Sequence, residues 1–590
     1  MSYLCVEEVV EPGLEETSDQ DDGGTPLDKT IDRIGMGRYQ WTVLLLCGFG
    51  WLADNMWMQA VAIILPRVQV HYAVPDSYIG VLSSSMFAGM MVGAVGWGTC
   101  SDVMGRVLTF NATLFFTALF GFLASFAHSF AMLCMIFFLL GSAVGGSIPT
   151  DGTLLLEHVP RDKRYLVTGL SVFFSIGSVI SALAGLLLIP RHSCLPNRPC
   201  NPPTDNQGWR YMLIGLGVIT LSMFLARILF FRLNESPRYL VRAGRDQEAL
   251  ETLQFISRFN GDELLLELTD VDDHLPFETR AQANDFVDCS EPLLLSSRVN
   301  TTMFGASTHG YTPSGTGVAD IDGINVDSAQ TLSIPPCPDS PERQPAPWTS
   351  HIVVEAMGKY SEETFAKWVD RVWAVLSPQW FRTMALISAV WFCTALAYTL
   401  FNVFFPKLLE TRSGYMDPPR SLEDNLWDVV IFTLGGFPGA ILGAFMVESS
   451  LGRRGSLAGM TALTAICCLM FVQARGSLMI RMSSLGINLC AMTMLAIKYG
   501  WTPELFGTEV RGTACGLATA LSRIGGIIAP LLGGALLSVN RTLPVYASVV
   551  VYMFMIVFVL LLRETRGRRD SRSLSHRVNR RWRWSHCLMR

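Results

Sequence analysis

The sequence predicts an all-α membrane protein with twelve transmembrane helices in two six-helix bundles and both termini cytoplasmic. Half of the 590 residues are hydrophobic and only 16% are charged, whereas soluble proteins carry about 25% charged residues. Twelve apolar runs are long enough to span a bilayer, and they fall as six, a long polar insert, and six. An even number of spans returns the chain to the side on which it started.

Each predicted span approaches the roughly 20 apolar residues that a transmembrane helix needs. Arginines such as Arg106, Arg161 and Arg453 lie in the connections assigned to the cytoplasm, as the positive-inside rule favours. Outer loops also carry Arg191 and Arg198, so this asymmetry is a bias. The predicted spans are about 41–65, 81–100, 108–127, 131–156, 165–189, 210–231, 383–405, 427–447, 456–474, 478–499, 513–537 and 544–562.

The polar segments delimit the domains. We expect a disordered acidic N-terminal tail, a cytoplasmic insert with helical ends and a disordered middle, and a basic tail on the anionic inner leaflet. The insert is also where cytosolic partners are expected to bind. The expected domains are the tail 1–38, the N-terminal bundle 39–231, the insert 232–379 with its disordered part 260–350, the C-terminal bundle 380–563 and the basic tail 564–590.

Several protein classes find no support in the sequence. The fourteen cysteines form no C-x-x-C pair, so most are expected to be small buried residues, and neither a metal nor another cofactor is expected. No phosphate-binding loop accompanies the spans, which disfavours an ATP-driven pump. An enzyme and a nucleic-acid-binding protein are not expected either. No basic segment precedes an apolar core at the N-terminus, so we expect the first span to serve as its own insertion signal.

The turn between the second and third spans has the spacing G-x-x-x-D-x-x-G-R. Gly98 lets two helices approach closely, and Asp102 can face the positive end of a neighbouring helix. Gly105 permits a backbone turn that other residues resist, and Arg106 stays on the cytoplasmic side. The turn therefore predicts a tight, charged connection on the inner face.

Related motifs recur along the chain. Residues 443–454 partly repeat the turn, with one extra residue before the glycine, and 157–164 has the pattern E-x-x-P-x-x-x-R. Residues 235–240 read Glu-Ser-Pro-Arg-Tyr-Leu, and 502–504 read Thr-Pro-Glu. With these motifs the chain resembles the major facilitator superfamily, in the branch of sugar porters, organic-ion transporters and synaptic-vesicle-2-related proteins, nearest the last.

The resemblance covers about 38–240 and 376–566. It implies the major facilitator fold, alternating access, and ion pairs between helix ends that close an inner gate. The gating residues that it implies are Gly98, Asp102, Gly105, Arg106, Glu157, Arg161, Arg164, Glu448, Arg453, Glu504 and Arg511.

Two departures from the family pattern bear on the substrate. Phe137 stands where the fourth-span motif usually has an arginine. Trp57 follows Asp54 where vesicle-2-like members usually carry a glutamate. The charge of the substrate therefore cannot be copied from the family.

Two acidic residues lie within predicted spans, Asp54 in the first and Asp151 in the fourth. Intramembrane charges are costly and often functional, and loss of water favours the neutral form of a carboxyl. We therefore predict proton coupling at Asp54, with Asp151 as a relay or as a counter-charge for a cation. The alternatives are a structural hydrogen bond for Asp54 and an ion pair with an arginine for Asp151.

Polar and aromatic residues of the cavity helices suggest a small polar organic solute, neutral or cationic. A hexose is disfavoured because the glutamine pair of sugar porters is missing from 383–405. Each residue has packing as its alternative, and for Arg523 a structural role is preferred. The candidates are Asn55, Trp57, Trp391, Tyr398, Asn402, Asn488 and Arg523.

The outer loops carry two weaker signals. Cys194 and Cys200 share a loop in which a disulfide can form, and Asn540 begins a glycosylation sequon. Taken together, the residues predict a secondary transporter with proton-coupled uptake of a small organic solute, in the plasma membrane rather than an internal vesicle membrane. The alternatives are proton-antiport efflux and a non-transporting receptor or vesicle protein.

Overall fold

The computed structural model describes residues 25–163, 166–194, 200–229, 231, 233–262, 264–271, 372–413, 420–447, 449, 451–506 and 510–563. All the helices below belong to one compact unit. Residues 274–366 lie outside the described part of the chain.

The N-terminal half contains six helical passes, of which α2 is the longest at 35 residues. Gly146 divides the fourth pass into α5 and α6. The helices are α1 (Pro26–Ile34), α2 (Arg38–Tyr72), α3 (Val81–Met104), α4 (Arg106–Ser125), α5 (Phe130–Gly145), α6 (Ser147–His158), α7 (Leu166–Gly169), α8 (Ser171–Leu188), α9 (Pro202–Asp205), α10 (Gly208–Leu229), α11 (Pro237–Arg242) and α12 (Asp246–Asn260).

The C-terminal half repeats the arrangement, with Gly435 dividing its second pass. Its helices are α13 (Pro378–Asn402), α14 (Phe405–Ser413), α15 (Leu422–Leu434), α16 (Gly436–Val447), α17 (Gly452–Gln473), α18 (Ser477–Trp501), α19 (Arg511–Val539) and α20 (Leu543–Leu561).

Within the described residues, 11 helical segments are long and apolar enough to cross a membrane. The first predicted span, α2, is not among them, because polar residues such as Asp54, Asn55 and Gln59 lower its hydropathy. Together these segments and α2 give the twelve passes that the sequence predicts, and the all-helical membrane fold is confirmed.

Glycines allow α3 and α5 to pack closely. A Cβ at Gly89 or Gly93 would collide with the backbone of α5, and one at Gly141 or Gly145 with that of α3. Such small residues bring helix backbones together in membranes. The sequence assigned this role to Gly98, which is wrong, because a Cβ there would meet nothing within 4 Å among the described residues.

The two halves meet through α3 against α19, α8 against α15 and α16, and α2 against α14. We call the end that holds residues 73–80, 403–413 and 420–421 the outer end, and the end that holds Gly105 and Gly452 the inner end. The basic connections lie mainly at the inner end, which makes it the cytoplasmic side under the positive-inside rule.

Part of the expected N-terminal disorder is wrong. Residues 26–34 form α1, capped by the Thr25 hydroxyl, which accepts the Asp28 amide at 3.3 Å. Its apolar side, with Leu27 and Ile31, packs in an inner-end core with α11, α12 and residues 264–271. The apolar residues of 26–34 lie on one face of a helix, which explains the order despite the acidic composition.

Residues 264–271 are likewise packed rather than disordered, with Leu266 and Val271 buried. The expected helical start of the insert is observed as α11 and α12. The remaining disorder predictions, for 1–24 and 272–350, and most of the expected helix at 351–379 lie outside the described residues.

Candidate functional site: a central cavity between the two halves

A central cavity of about 320 Å³ lies where the two halves face each other. Its wall comes mainly from α2, α3 and α8 of the N-terminal half and from α13 and α18 of the C-terminal half. Ligand-binding pockets commonly enclose about 300–1,000 Å³ and are mostly apolar with a few polar groups. This cavity has the same character and is sized for a small molecule.

Three of the predicted cavity residues line the wall: Asn55, Tyr398 and Asn402. The Asn55 amide donates to the Phe174 carbonyl at 2.7 Å, which fixes its orientation. The Asn402 carbonyl oxygen is buried without a hydrogen-bond partner in the described part of the chain. It is therefore an acceptor that a bound solute can use.

Asn488 lies behind the wall and positions a residue that lines it. Its amide donates to the Phe432 carbonyl at 2.8 Å, and its oxygen accepts from the Tyr398 hydroxyl at 3.3 Å. Asn488 thus links α15, α18 and α13. Its expected contact with substrate is replaced by a positioning role.

Three other predicted cavity residues lie elsewhere. The Trp57 indole is fully buried and donates to the Thr220 hydroxyl at 3.1 Å, so it packs α2 against α10. Trp391 is buried in α13 and donates to the Thr502 hydroxyl at 3.0 Å. The half-buried Arg523 donates to the Met90 sulfur at 3.7 Å, across the contact between α19 and α3.

Lys498 is a residue of the cavity wall that the sequence prediction missed. It is 2% exposed, and it is the charged side chain of the cavity wall in the described residues. Its ammonium nitrogen lies 4.0 Å from the centre of the Trp391 ring and 5.4 Å from that of Tyr499. The charged side chain on the described part of the wall is therefore basic rather than acidic. The sequence prediction missed Lys498 because it lies at the end of a predicted span, where it resembled a helix-end lysine.

Asp54 is fully buried in α2, beside Asn55 but away from the wall. Neither carboxyl oxygen has a hydrogen-bond partner among the described residues. Arg523 and Asp151 are the charged groups that act on it electrostatically. The structural hydrogen bond considered from the sequence is thus not observed in the described region.

Asp151 instead forms a buried ion pair. Its carboxylate lies 3.2 Å from the Arg227 guanidinium, and both side chains are completely buried. Arg227 also donates to the Leu46 carbonyl at 2.8 Å and lies 3.5 Å from the centre of the Phe110 ring. A Cβ at Gly50 would collide with Asp151, so this glycine makes room for the pair. The geometry favours the structural alternative for Asp151.

The inner turn is built around Gly105, whose φ of +101° suits glycine. Arg106 is 3.4 Å from Glu157, and both side chains are buried. The Glu235 carboxylate accepts the Arg106 amide at 2.8 Å. Glu235 thus caps the positive end of α4, the type of role that the sequence assigned to Asp102.

Other predicted gating residues also find partners. Arg161 lies 2.7 Å from Asp28 of α1, and Arg453 lies 2.5 Å from Glu504. Arg164 and Glu448, and the side chains of Asp102 and Arg511, lie outside the described part of the molecule.

The outer end holds ion pairs that the sequence prediction missed. Arg67 of α2 pairs with Glu410 of α14, and Lys407 of α14 pairs with Asp76. Both pairs join the two halves. Burial raises the pKa of Asp76, but hydrogen bonds from Lys407 and Gln69 outweigh it and hold the pKa below its usual range. Charges flanking the first and seventh spans were the only sequence signal.

Two outer-loop predictions can be located. Cys194 and Cys200 form the expected disulfide, with 5.7 Å between their Cα atoms. Asn540 is exposed and follows α19, where its oxygen accepts the Thr542 amide at 3.1 Å.

Two helical halves around a shared central cavity are the architecture of a secondary transporter. The family model described as Major Facilitator Superfamily matches residues 42–502 and 392–583. The chain therefore belongs to the major facilitator superfamily, whose members are membrane transporters rather than enzymes.

Relatives and solved structures resemble nearly the whole chain. An uncharacterised MFS-type transporter of Schizosaccharomyces pombe is 30% identical, covering 92% of this chain and 88% of the relative. The MFS siderochrome iron transporter 1 of Ceriporiopsis subvermispora is also 30% identical, covering 91% and 90%. The partially occluded inward-open xylose transporter XylE from E. coli has a TM-score of 0.55 at 12% identity, covering 89% and 100%.

The predicted placement nearest the synaptic-vesicle-2-related proteins is only partly supported. The bovine (Bos taurus) synaptic vesicle 2-related protein is 24% identical, covering 88% of this chain and 78% of the relative. The fungal transporters are thus more similar to this chain than this vesicle protein is.

Proposed function

We propose that the protein takes up a small organic solute by alternating access, driven by protons that bind at Asp54. The observation that carries this proposal is the central cavity, which both halves share and which lies between α2 and α13. Ion pairs between the halves hold the outer end together. Rocking of one half against the other would break these pairs and open the cavity outward.

Asp54 is the proposed proton site because its carboxyl is completely buried and lacks hydrogen-bond partners among the described residues. Such a group is held more easily in its neutral form. It lies beside Asn55 of the wall, so a conformational change in α2 can expose it to water on one side. Asp151 has no part in this step, since its carboxyl group is paired with the Arg227 guanidinium at 3.2 Å.

The test is solute uptake into proteoliposomes that contain the full chain, with and without an inward proton gradient. We expect a panel of small organic solutes to reveal at least one whose uptake the gradient accelerates. Asp54→Asn should abolish that acceleration, whereas Asp162→Asn, in an inner loop, should preserve it. Full gradient-driven uptake by Asp54→Asn would exclude Asp54 as the coupling site.

The domain organisation remains part of this proposal. We propose that the insert 232–379, which separates the bundles in the sequence, binds cytosolic partners, and that the exposed Asn540 is a glycosylation site. We propose the plasma membrane as the location. A cell-surface biotinylation assay tests the location. Glycosylation of Asn540 should slow migration on a denaturing gel, and Asn540→Gln should abolish this shift.

A further inference from the structure

We infer that the transported solute carries a carboxylate on an aromatic or otherwise apolar body, and that the Lys498 ammonium binds this carboxylate in the central cavity. The inference rests on the proposed transport function and specifies its substrate class. It reverses the neutral or cationic solute that the sequence suggested.

The first argument is the unmet hydrogen-bonding capacity of Lys498. A lysine ammonium has three N–H donors, and a charge buried without a partner is costly. Among the described residues, the Lys498 ammonium contacts the ring faces of Trp391 and Tyr499. These ring faces do not provide a hydrogen-bond acceptor for each of the three N–H donors. An anion in the cavity supplies both the acceptors and the opposite charge.

The second argument is that Lys498 is held in place. The Thr502 hydroxyl donates to the Lys498 carbonyl at 2.7 Å and accepts the Trp391 indole N–H at 3.0 Å. Thr502 therefore fixes the Trp391 ring, which the Lys498 ammonium contacts, and also the backbone carbonyl of Lys498. A charged group that is fixed before binding loses little conformational entropy when the solute arrives.

The remainder of the wall indicates the body of the solute. Trp51, Phe87, Phe174 and Tyr398 present aromatic rings, and their neighbours are largely aliphatic or methionine side chains. A flat apolar body gains from burial against such a surface. The cavity volume of about 320 Å³ limits the solute to a small molecule.

A cationic solute fits less well. The acid that would attract it, Asp54, does not line the cavity, and the positive charge of Arg523 acts on that acid. A cation in the cavity would instead face the Lys498 ammonium directly. The charge on the wall therefore favours anions.

The experiment uses three probes of matched shape: benzoate, benzyl alcohol and benzylamine. Binding to the purified full chain in detergent is measured at pH 7 by isothermal titration calorimetry and by ligand-induced change in melting temperature. We expect benzoate to bind best, and Lys498→Met to weaken it at least tenfold. Lys498→Arg should retain part of the affinity, and Lys163→Met, a matched loss of charge in an inner loop, should leave it unchanged.

Several results would overturn the inference: no benzoate binding to the wild type, equal benzoate binding by Lys498→Met, or tighter binding of benzylamine. If Lys498→Met does not fold, Lys498→Arg and Lys498→Gln replace it, and unchanged benzoate binding by both variants would overturn the inference. Loss of benzoate binding in Lys163→Met would also overturn it. The proposed transport function fails separately. Gradient-driven uptake of some solute without benzoate binding contradicts only the substrate class, whereas Lys498-dependent benzoate binding without any uptake contradicts only transport.

Discussion

The ion pairs at the two ends of the molecule differ in what they connect. At the inner end, Arg106 with Glu157 and Arg453 with Glu504 each join residues of the same half. At the outer end, Arg67 with Glu410 joins one half to the other. The family resemblance predicted gating at the inner end, but the described pairs that can hold the halves together lie at the outer end.

This difference separates two roles for a charged pair. A pair within one half keeps its partners through a rigid-body rocking motion, so it stabilises the half without favouring a state. A pair between the halves exists in one state and is lost in the other, so it shifts the equilibrium between them. The conformation described here is therefore one in which the outer end is held closed.

The largest effect is expected at a buried pair within the N-terminal half. Asp151→Asn leaves the buried Arg227 without its counter-charge, which should cost about 3–5 kcal/mol of stability. Thermal unfolding of the purified protein measures this loss. Asp151→Leu with Arg227→Met removes both charges and should recover part of it. If Asp151→Asn instead left the stability unchanged and opened the outer end, the pair within one half would not have the purely stabilising role that is assigned to it.

A smaller effect, on conformation rather than stability, is expected at the outer end. Glu410→Gln removes one charge of a pair between the halves, and a hydrogen bond to a charged group contributes about 1.5–3 kcal/mol. The outward-open fraction should rise about tenfold or more. Labelling of Met58→Cys, a cavity residue, by a membrane-impermeant maleimide from the outside reports this opening.

Glu423→Gln provides the matched control, since Glu423 is an exposed acid at the same end. The parent protein without the added cysteine gives the background from native cysteines. Equal labelling in both glutamine variants would show that the pair between Arg67 and Glu410 does not hold the outer end closed.

The pH dependence of the outer end follows from Asp76. Its pKa in the closed state is held below the usual range by Lys407 and Gln69. The resulting stabilisation is complete above the ordinary aspartate pKa of about 3.9 and is lost as the pH falls through the lowered value. Outer labelling of Met58→Cys should therefore stay constant from pH 8 to 5.5, whereas Asp76→Asn should raise it throughout that range.

A rise in wild-type labelling between pH 7 and 6 would show that another group controls the outer end. If labelling is constant with pH, any proton dependence of uptake in that range must come from a group other than Asp76. Asp54 is the proposed group. Lys407→Met removes the other partner of Asp76 and should give the same increase as Asp76→Asn.

The fold could be predicted because it depends on local, repetitive features. A membrane span can be recognised from the length of one apolar run, and the turn around Gly105 from a few neighbouring residues. Both are properties of a short, continuous stretch of sequence. The order of α1 was missed because acidic composition outweighed the one-sided spacing of Leu27, Ile31 and Ile34. Their partners, α11 and α12, lie about 200 residues away and could not be paired with them from one sequence.

The site was predicted less well because a residue's role there depends more on the direction of its side chain than on its residue type. Asn55 and Trp57 are two positions apart in α2, yet one lines the cavity and the other packs against Thr220. Lys498 was missed because a lysine near a span end usually reaches toward the headgroups. Only the fold shows that it faces the cavity instead.

The smallest effect is expected for the inner pair of the C-terminal half. Arg453 and Glu504 side chains are 24% and 38% exposed, against 8% and 9% for Arg106 and Glu157. Solvent screening limits an exposed pair to about 0–1 kcal/mol, so Arg453→Gln should shift the melting temperature little. Arg106→Gln, which leaves Glu157 buried and unpaired, should lower it clearly.

Neither variant should change outer labelling of Met58→Cys, because neither pair joins the halves. That result would place both pairs among the contacts that hold each half together. If Arg453→Gln instead reduced outer labelling, the inner pair would be part of a gate, and the contrast between the two ends would have to be abandoned.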